Sequence, residues 1–166
     1  MMRISGISHP DVNNGLGFRI TVWVSGCIHH CKGCHNPETW DFNSGREFTE
    51  EDKQKVFELL DKPYMRGVTF SGGDPLCSYT DVLSLVKEIK EKYPDKDIWV
   101  YTGFSFVYVM EHMSEILDYV DYIVDGKFKI EERDVSLAFR GSKNQKIWKK
   151  EEGRFKVIDL DKGGSE

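Results

Sequence analysis

The run Ile20-Thr21-Val22-Trp23-Val24-Ser25-Gly26-Cys27-Ile28-His29-His30-Cys31-Lys32-Gly33-Cys34 decides how the rest of the chain is read. Its first five residues are apolar or β-branched and predict a strand. Three cysteines then follow in a C-x3-C-x2-C spacing. A strand that empties into so short a loop can converge three thiolates on one point. Soft sulfur donors match iron and neutralise its charge. Three close ligands without an equally local fourth suit a cubane 4Fe–4S cluster that keeps one iron open for chemistry. The other reading is zinc, held by the three cysteines and one of His29, His30 or His35. Spacing alone leaves both standing.

Outward from this loop the chain alternates strand-like and helix-like segments, the pattern of α/β construction with parallel strands. Thr49, with Asp52 three residues on, predicts a helix start, and Val56, Leu59 and Leu60 give that helix an apolar face. A second strand is predicted over 67–70, ending in Ser71-Gly72-Gly73-Asp74-Pro75. Val82, Leu85, Val86 and Ile89 recur at helical spacing, and Pro94 stops that helix. A third strand covers 97–102 and turns at Gly103. Ser105 caps a helix reaching about Leu117. A fourth strand, Tyr122-Ile123-Val124, ends at Asp125-Gly126-Lys127. Past Phe128 the pattern blurs, with a last strand expected at 155–158. Residues 1–160 read as a single domain and 161–166 as a tail. A closed eightfold β/α barrel takes about 250 residues, so a chain of this length with roughly four to six units predicts an incomplete, laterally open barrel with a mostly parallel sheet. In such folds the chemistry sits at the C-terminal ends of the strands. The cysteine loop, the Gly-Gly-Asp-Pro turn, Thr102-Gly103 and Asp125 all follow predicted strands.

At 166 residues, the chain is long enough to bury a core without disulfide staples. Its 4 cysteines therefore point to metal or redox work. Lys plus Arg total 23 against 28 acids, a net charge of −5, which excludes the concentrated basic balance of a nucleic-acid binder. No stretch comes near the roughly 20 apolar residues of a membrane helix. Met1-Met2-Arg3-Ile4-Ser5-Gly6 lacks the apolar region of a secretory signal, so a cytoplasmic location is expected.

Gly72-Gly73-Asp74-Pro75 closes a strand and precedes a helix. Two glycines allow close backbone approach to a ligand, Asp74 brings a negative charge and Pro75 fixes the turn. By itself this is a tight turn; one strand after the cysteine loop it reads as a dock for an ammonium group.

With these two motifs in hand, the chain resembles the radical S-adenosylmethionine (radical SAM) superfamily, which pairs C-x3-C-x2-C with a Gly-Gly-Glu-Pro-type motif. Within it, Asn14-Gly15-Leu16-Gly17-Phe18-Arg19, Cys34-His35-Asn36-Pro37-Glu38-Thr39-Trp40 and Arg140-Gly141-Ser142-Lys143-Asn144-Gln145-Lys146 resemble the glycyl-radical-installing enzymes, the activators of anaerobic ribonucleoside-triphosphate reductase above all. The likeness runs from about Asn14 to Trp148. Two positions depart from the superfamily pattern: Gly33 stands where an aromatic residue usually precedes the third cysteine, and Asp74 replaces the commoner Glu.

The resemblance implies a partial barrel of the radical SAM type. It implies a 4Fe–4S cluster on Cys27, Cys31 and Cys34, and S-adenosylmethionine bound by Gly72, Gly73, Asp74, Pro75, Thr102, Asp125 and Lys127. One electron, from a reduced flavodoxin-like donor, would cleave the cofactor to methionine and a 5′-deoxyadenosyl radical. That radical would take a hydrogen atom from a glycine in the large subunit of the reductase. Arg19, His35, Arg140, Ser142 and Asn144 are candidates for contact with cofactor or partner. Asp125, Lys127, Thr102 and Gly103 also read as plain strand-end turns. Cys77 reads as an ordinary thiol, and Trp23, Trp99, Tyr101 and Phe70 as core.

Overall fold

The computed structural model describes residues 2–31 and 40–161. Cys34, His35 and residues 162–166 of the expected tail lie outside the described residues. In chain order the elements are β1 (Arg3–Asp11), β2 (Phe18–Val24), β3 (Arg46–Glu47), α1 (Glu50–Leu60), β4 (Met65–Gly72), α2 (Tyr79–Lys92), β5 (Asp97–Tyr101), α3 (Phe106–His112), β6 (Tyr122–Asp125), β7 (Lys146–Glu151) and β8 (Arg154–Ile158). Short 3-10 turns at Pro75–Ser78, Ser114–Asp118 and Ile130–Glu132 join some of them.

Among the described residues the eight strands form one open sheet in the order β3-β1-β2-β4-β5-β6-β7-β8. The expected mostly parallel sheet needs correcting. The β2-β4-β5-β6 centre is parallel, and the flanking pairs are all antiparallel. Connection length explains the split. A parallel neighbour requires a long crossover, which α1, α2 and α3 provide in turn. The β7–β8 connection is a two-residue hairpin, Glu152-Gly153, with φ of 51° and 77°, and it can only return antiparallel. β1, β3 and β7 carry no strand prediction from the sequence.

The helices form where their caps and apolar spacing put them. Thr49 and Asp52 make a reciprocal capping box at α1, and Ser105 accepts from the Tyr108 amide at α3. α2 buries Val82, Leu85, Val86 and Ile89, each worth about 1.5–3 kcal/mol of burial. These residues share one core cluster with α1 and α3, and with Ile20, Val22, Val68, Phe70, Ile98, Val100 and Ile123 of the central strands. Because side chains alternate along a strand, the opposite sheet face carries Arg19, Thr21, Thr69, Trp99 and Tyr101. A second cluster of Trp99, Tyr122, Val124, Ile147 and Leu160 lies there, with Phe139 packed against it. Among the described residues α1, α2 and α3 thus serve one face and leave the other to the site. No helix among the described residues is long and apolar enough to cross a membrane.

Candidate functional site

Four parallel strands end along one edge of the sheet, and each delivers a polar loop there. A cavity of about 460 Å³ opens at that edge, within the size range of small-molecule sites. Cys27, His29 and Cys31 line it from the loop after β2, and Gly72, Gly73 and Asp74 from the end of β4. Thr102 and Gly103 follow β5, Lys127 follows β6, and Arg140 and Gln145 reach in from the connection to β7.

The cysteine loop is closed at its base, where the Cys27 amide donates to the Trp40 carbonyl at 3.1 Å. Gly26 has φ of 104° and lies under the Phe42 ring, where a Cβ would come within 2.3 Å of a ring carbon. His30 stacks on Trp40 with ring centroids 4.6 Å apart. Cys27 and Cys31 form no disulfide among the described residues. Burial pushes the Cys27 thiol up, while the amides of His29 and His30 donate to its sulfur and favour the thiolate. Two cysteine sulfurs on the cavity wall, one already served by backbone donors, are the donor chemistry an iron–sulfur cluster requires.

The Gly-Gly-Asp turn is bonded directly to this loop: the Gly73 amide donates to Val24 O at 2.8 Å, and the Asp74 amide to Gly26 O at 2.8 Å. Gly72, with φ of 110°, has no room for a side chain, because a Cβ would meet Val24 O at 2.5 Å. Its glycine thus serves the packing of β4 against β2, as well as any ligand.

Asp74 is buried, and its carboxylate is heavily engaged. Oδ1 accepts from the Leu76 amide at 2.9 Å. Oδ2 accepts from the Thr102 hydroxyl at 2.9 Å and the Gly103 amide at 2.8 Å, and lies 2.7 Å from His29 Nε2. Thr102 therefore acts on Asp74. Cys77, close to both His29 and Asp74, has its thiol pushed up to about 12 by burial and by the Asp74 charge, so it rests as a neutral thiol.

The structure does not bring every expected residue to the cavity. Arg19 is wholly buried at the opposite end of the strands, paired to Asp97 at 2.6 Å and bonded to Thr69 and to the Leu16 and Val68 carbonyls. Asp125 caps α3 by accepting from the Phe106 amide at 2.8 Å. Pro75 opens the 3-10 turn before α2. Ser142 and Asn144 bond to each other, and Asn144 donates to Lys127 O, so both brace the Asp125-Gly126-Lys127 turn. Arg140 does line the cavity, with an ion pair to Asp161 and a buried Nε that has no partner among the described residues.

Two contributors escaped the sequence reading, and a third was seen only in outline. Of His29, His30 and His35 the sequence leaves at least two simply exposed in the loop; His29 is instead buried, its side chain 5% exposed and its ring on Asp74. Gln145 accepts from the Gly141 and Ser142 amides and donates to Gly126 O; its place in the late motif was the available signal. Tyr101 reads as core, and its hydroxyl is buried on the cavity wall without a partner among the described residues. Strand position alone could not distinguish the Tyr101 role, and His29 and Gln145 lie outside the strands.

Residues 13–148 match the family model described as a 4Fe-4S single cluster domain. An anaerobic ribonucleoside-triphosphate reductase-activating protein of Vibrio cholerae is 44% identical over 141 residues, covering 82% of this chain and 91% of the relative. The protein of that name from Enterobacteria phage T4 is 38% identical over 148 residues, covering 88% and 93%. Its namesake from Escherichia coli K12 is 40% identical over 141 residues, covering 82% and 92%.

Proposed function

The chain belongs to the 4Fe-4S single cluster family and, within it, to the anaerobic ribonucleoside-triphosphate reductase-activating proteins, and from that premise we propose that it installs the glycyl radical of such a reductase. Of the two readings of the cysteine loop, this membership supports the iron–sulfur one. Cys27, Cys31 and Cys34 would hold the cluster. The turn Gly72-Gly73-Asp74-Pro75 would take the amine of S-adenosylmethionine, with Lys127 near its carboxylate and Thr102 fixing Asp74. A cluster held there would supply the electron for reductive cleavage of S-adenosylmethionine, the chemistry that would remove a glycine Cα hydrogen from the reductase. The cofactor brings this chemistry, and the protein brings ligation, orientation and exclusion of side reactions.

The observation that carries the reading is the Asp74 amide on the Gly26 carbonyl, 2.8 Å. It joins the thiol loop to the amine turn, so a ligand of one lies beside a ligand of the other. The open sheet is read as the incomplete barrel of the radical SAM type, whose missing strands leave a lateral doorway for the reductase's glycine loop. A reduced flavodoxin-like protein as electron donor and a cytoplasmic setting belong to the same proposal.

Anaerobic reconstitution followed by iron, sulfide and zinc analysis comes first, then incubation with reductase, S-adenosylmethionine and a one-electron reductant. The expected result is about one 4Fe–4S cluster per chain and a glycyl doublet by electron paramagnetic resonance. Stoichiometric zinc without iron would overturn the proposal. Cofactor cleavage without a glycyl signal would move the activity to another radical acceptor.

A further inference from the structure

Asp74 Oδ2 is the most crowded acceptor in the cavity. Three donors converge on it: the Thr102 hydroxyl, the Gly103 amide and His29 Nε2, all between 2.7 and 2.9 Å. A carboxylate offers about four lone-pair sites, two per oxygen, so Oδ2 has no vacancy for a further donor. Oδ1 is turned toward the Leu76 amide at the start of the 3-10 turn. Two of the three Oδ2 donors belong to the framework, since Thr102 and Gly103 follow β5 and the Thr102 amide is fixed to Val124 O at 2.9 Å. His29 comes instead from the cysteine loop, between Cys27 and Cys31.

The surroundings are shaped to hold the imidazole in this place. The Phe104 ring meets it edge-on, with centroids 4.7 Å apart. Gly103 leaves room for it, because a Cβ there would come within 2.4 Å of a ring carbon. The His29 and Asp74 side chains are 5% and 2% exposed, so water does not compete for their bond.

Resting on the S-adenosylmethionine reading above, we propose that His29 is a positioning residue that occupies Asp74 Oδ2 until the cofactor's ammonium displaces it. Before the cofactor binds, the imidazole latches the cysteine loop to the Gly-Gly-Asp turn and satisfies a buried carboxylate. The arriving ammonium takes over that acceptor, and the cysteine loop loses one of its ties to the turn. Cofactor affinity is thus the difference between two bonds to the same oxygen, and removing the weaker competitor raises it.

The test uses reconstituted holoprotein and equilibrium binding of two ligands: S-adenosylmethionine and 5′-methylthioadenosine, which lacks the amino-acid part. His29→Phe keeps a ring over Gly103 and against Phe104 but has no donor, whereas His29→Gln keeps an N–H donor. His29→Phe is expected to bind S-adenosylmethionine up to about tenfold tighter, the equivalent of one net hydrogen bond. Its affinity for 5′-methylthioadenosine and its iron content should match wild type, and His29→Gln should restore wild-type affinity for both ligands. Gly103→Ala, whose Cβ would push the ring aside, makes the same prediction without altering the loop. Unchanged or weaker S-adenosylmethionine binding in both His29→Phe and Gly103→Ala would overturn the latch, as would His29→Gln behaving like His29→Phe. If wild type retains its iron yet binds no S-adenosylmethionine, the cofactor reading itself fails and takes the latch with it.

Discussion

Arg19 and Asp74 are both buried charges on the strand framework, and their partners separate a structural role from a site role. The partners of Arg19 belong to the scaffold: the Asp97 carboxylate, the Thr69 hydroxyl and the Leu16, Val68 and Asp97 carbonyls, with Trp99 beneath the guanidinium at 5.5 Å. Burial pushes the guanidinium down and the Asp97 carboxyl up, and their 2.6 Å ion pair opposes both shifts. Arg19→Met roughly keeps the volume but removes the nearer partner of Asp97 and leaves it Arg66 at 3.2 Å, so a loss of about 3 kcal/mol, the lower end for a broken buried pair, is expected in urea unfolding. S-adenosylmethionine affinity of the folded fraction should stay within about twofold, since the side chain does not line the cavity. Lost affinity with intact stability would return Arg19 to the site. Asp74, by contrast, takes one of its donors from a loop that also supplies thiols. Replacing Thr102 by Val removes a framework donor from Oδ2 and should weaken S-adenosylmethionine binding about threefold to tenfold by misorienting the carboxylate. Equal affinity by isothermal titration would show that Gly103 alone suffices.

At the scale of elements, α1 has a start whose strength depends on pH. Asp52 accepts from the Thr49 amide at 2.8 Å and pairs with Arg46 at 2.6 Å. The Arg46 hydrogen bond, aided by Thr49, holds its carboxyl down at about 2, against an ordinary 3.8. A depressed carboxylate contributes its full stability above the ordinary value, and that contribution drains away as pH falls through about 2. Thr49→Ala should cost about 1 kcal/mol at neutral pH. Asp52→Asn should cost a similar amount at pH 7, and its stability curve should converge on wild type near pH 2; parallel curves in urea titrations down to that pH would contradict the assignment. This box was legible because its two residues lie three apart in sequence. The central strands and the three helices were legible for the same local reason. β1 was not, since Arg3-Ile4-Ser5-Gly6-Ile7-Ser8-His9-Pro10-Asp11 mixes Gly, Ser and Pro into a strand that gains its order from pairing with β2. β7 reads Lys-Ile-Trp-Lys-Lys-Glu, where long charged side chains hide the alternation. At the site, motifs at strand ends were visible, but the donors of Asp74 Oδ2 come from two segments distant from it and from each other, and no spacing encodes such a convergence.

At the scale of the molecule, helices on one face leave the other face to be walled by irregular chain, and that wall is fastened late in the sequence. Leu160 is buried beside Trp99 and Tyr122 in the second core cluster. Asp161 follows it, accepting from the Ala138 amide at 2.6 Å and pairing with Arg140. The segment from Leu137 to Gly141 lines the cavity through several of its residues, so Asp161 acts as a staple on one side of the opening. Removing it leaves Arg140 largely buried without its carboxylate, and frees the Ala138 amide. Asp161→Ala should therefore raise amide hydrogen exchange across 137–141 by tenfold or more, about 1.4 kcal/mol of local opening. Asp161→Asn keeps an acceptor for Ala138 while losing the charge, so its exchange should fall between wild type and Asp161→Ala. Amides of β4 and β5, held by the parallel centre of the sheet, should not change in either variant. Exchange rising equally in those strands would mean that the C-terminal return supports the whole fold instead of one wall of the cavity.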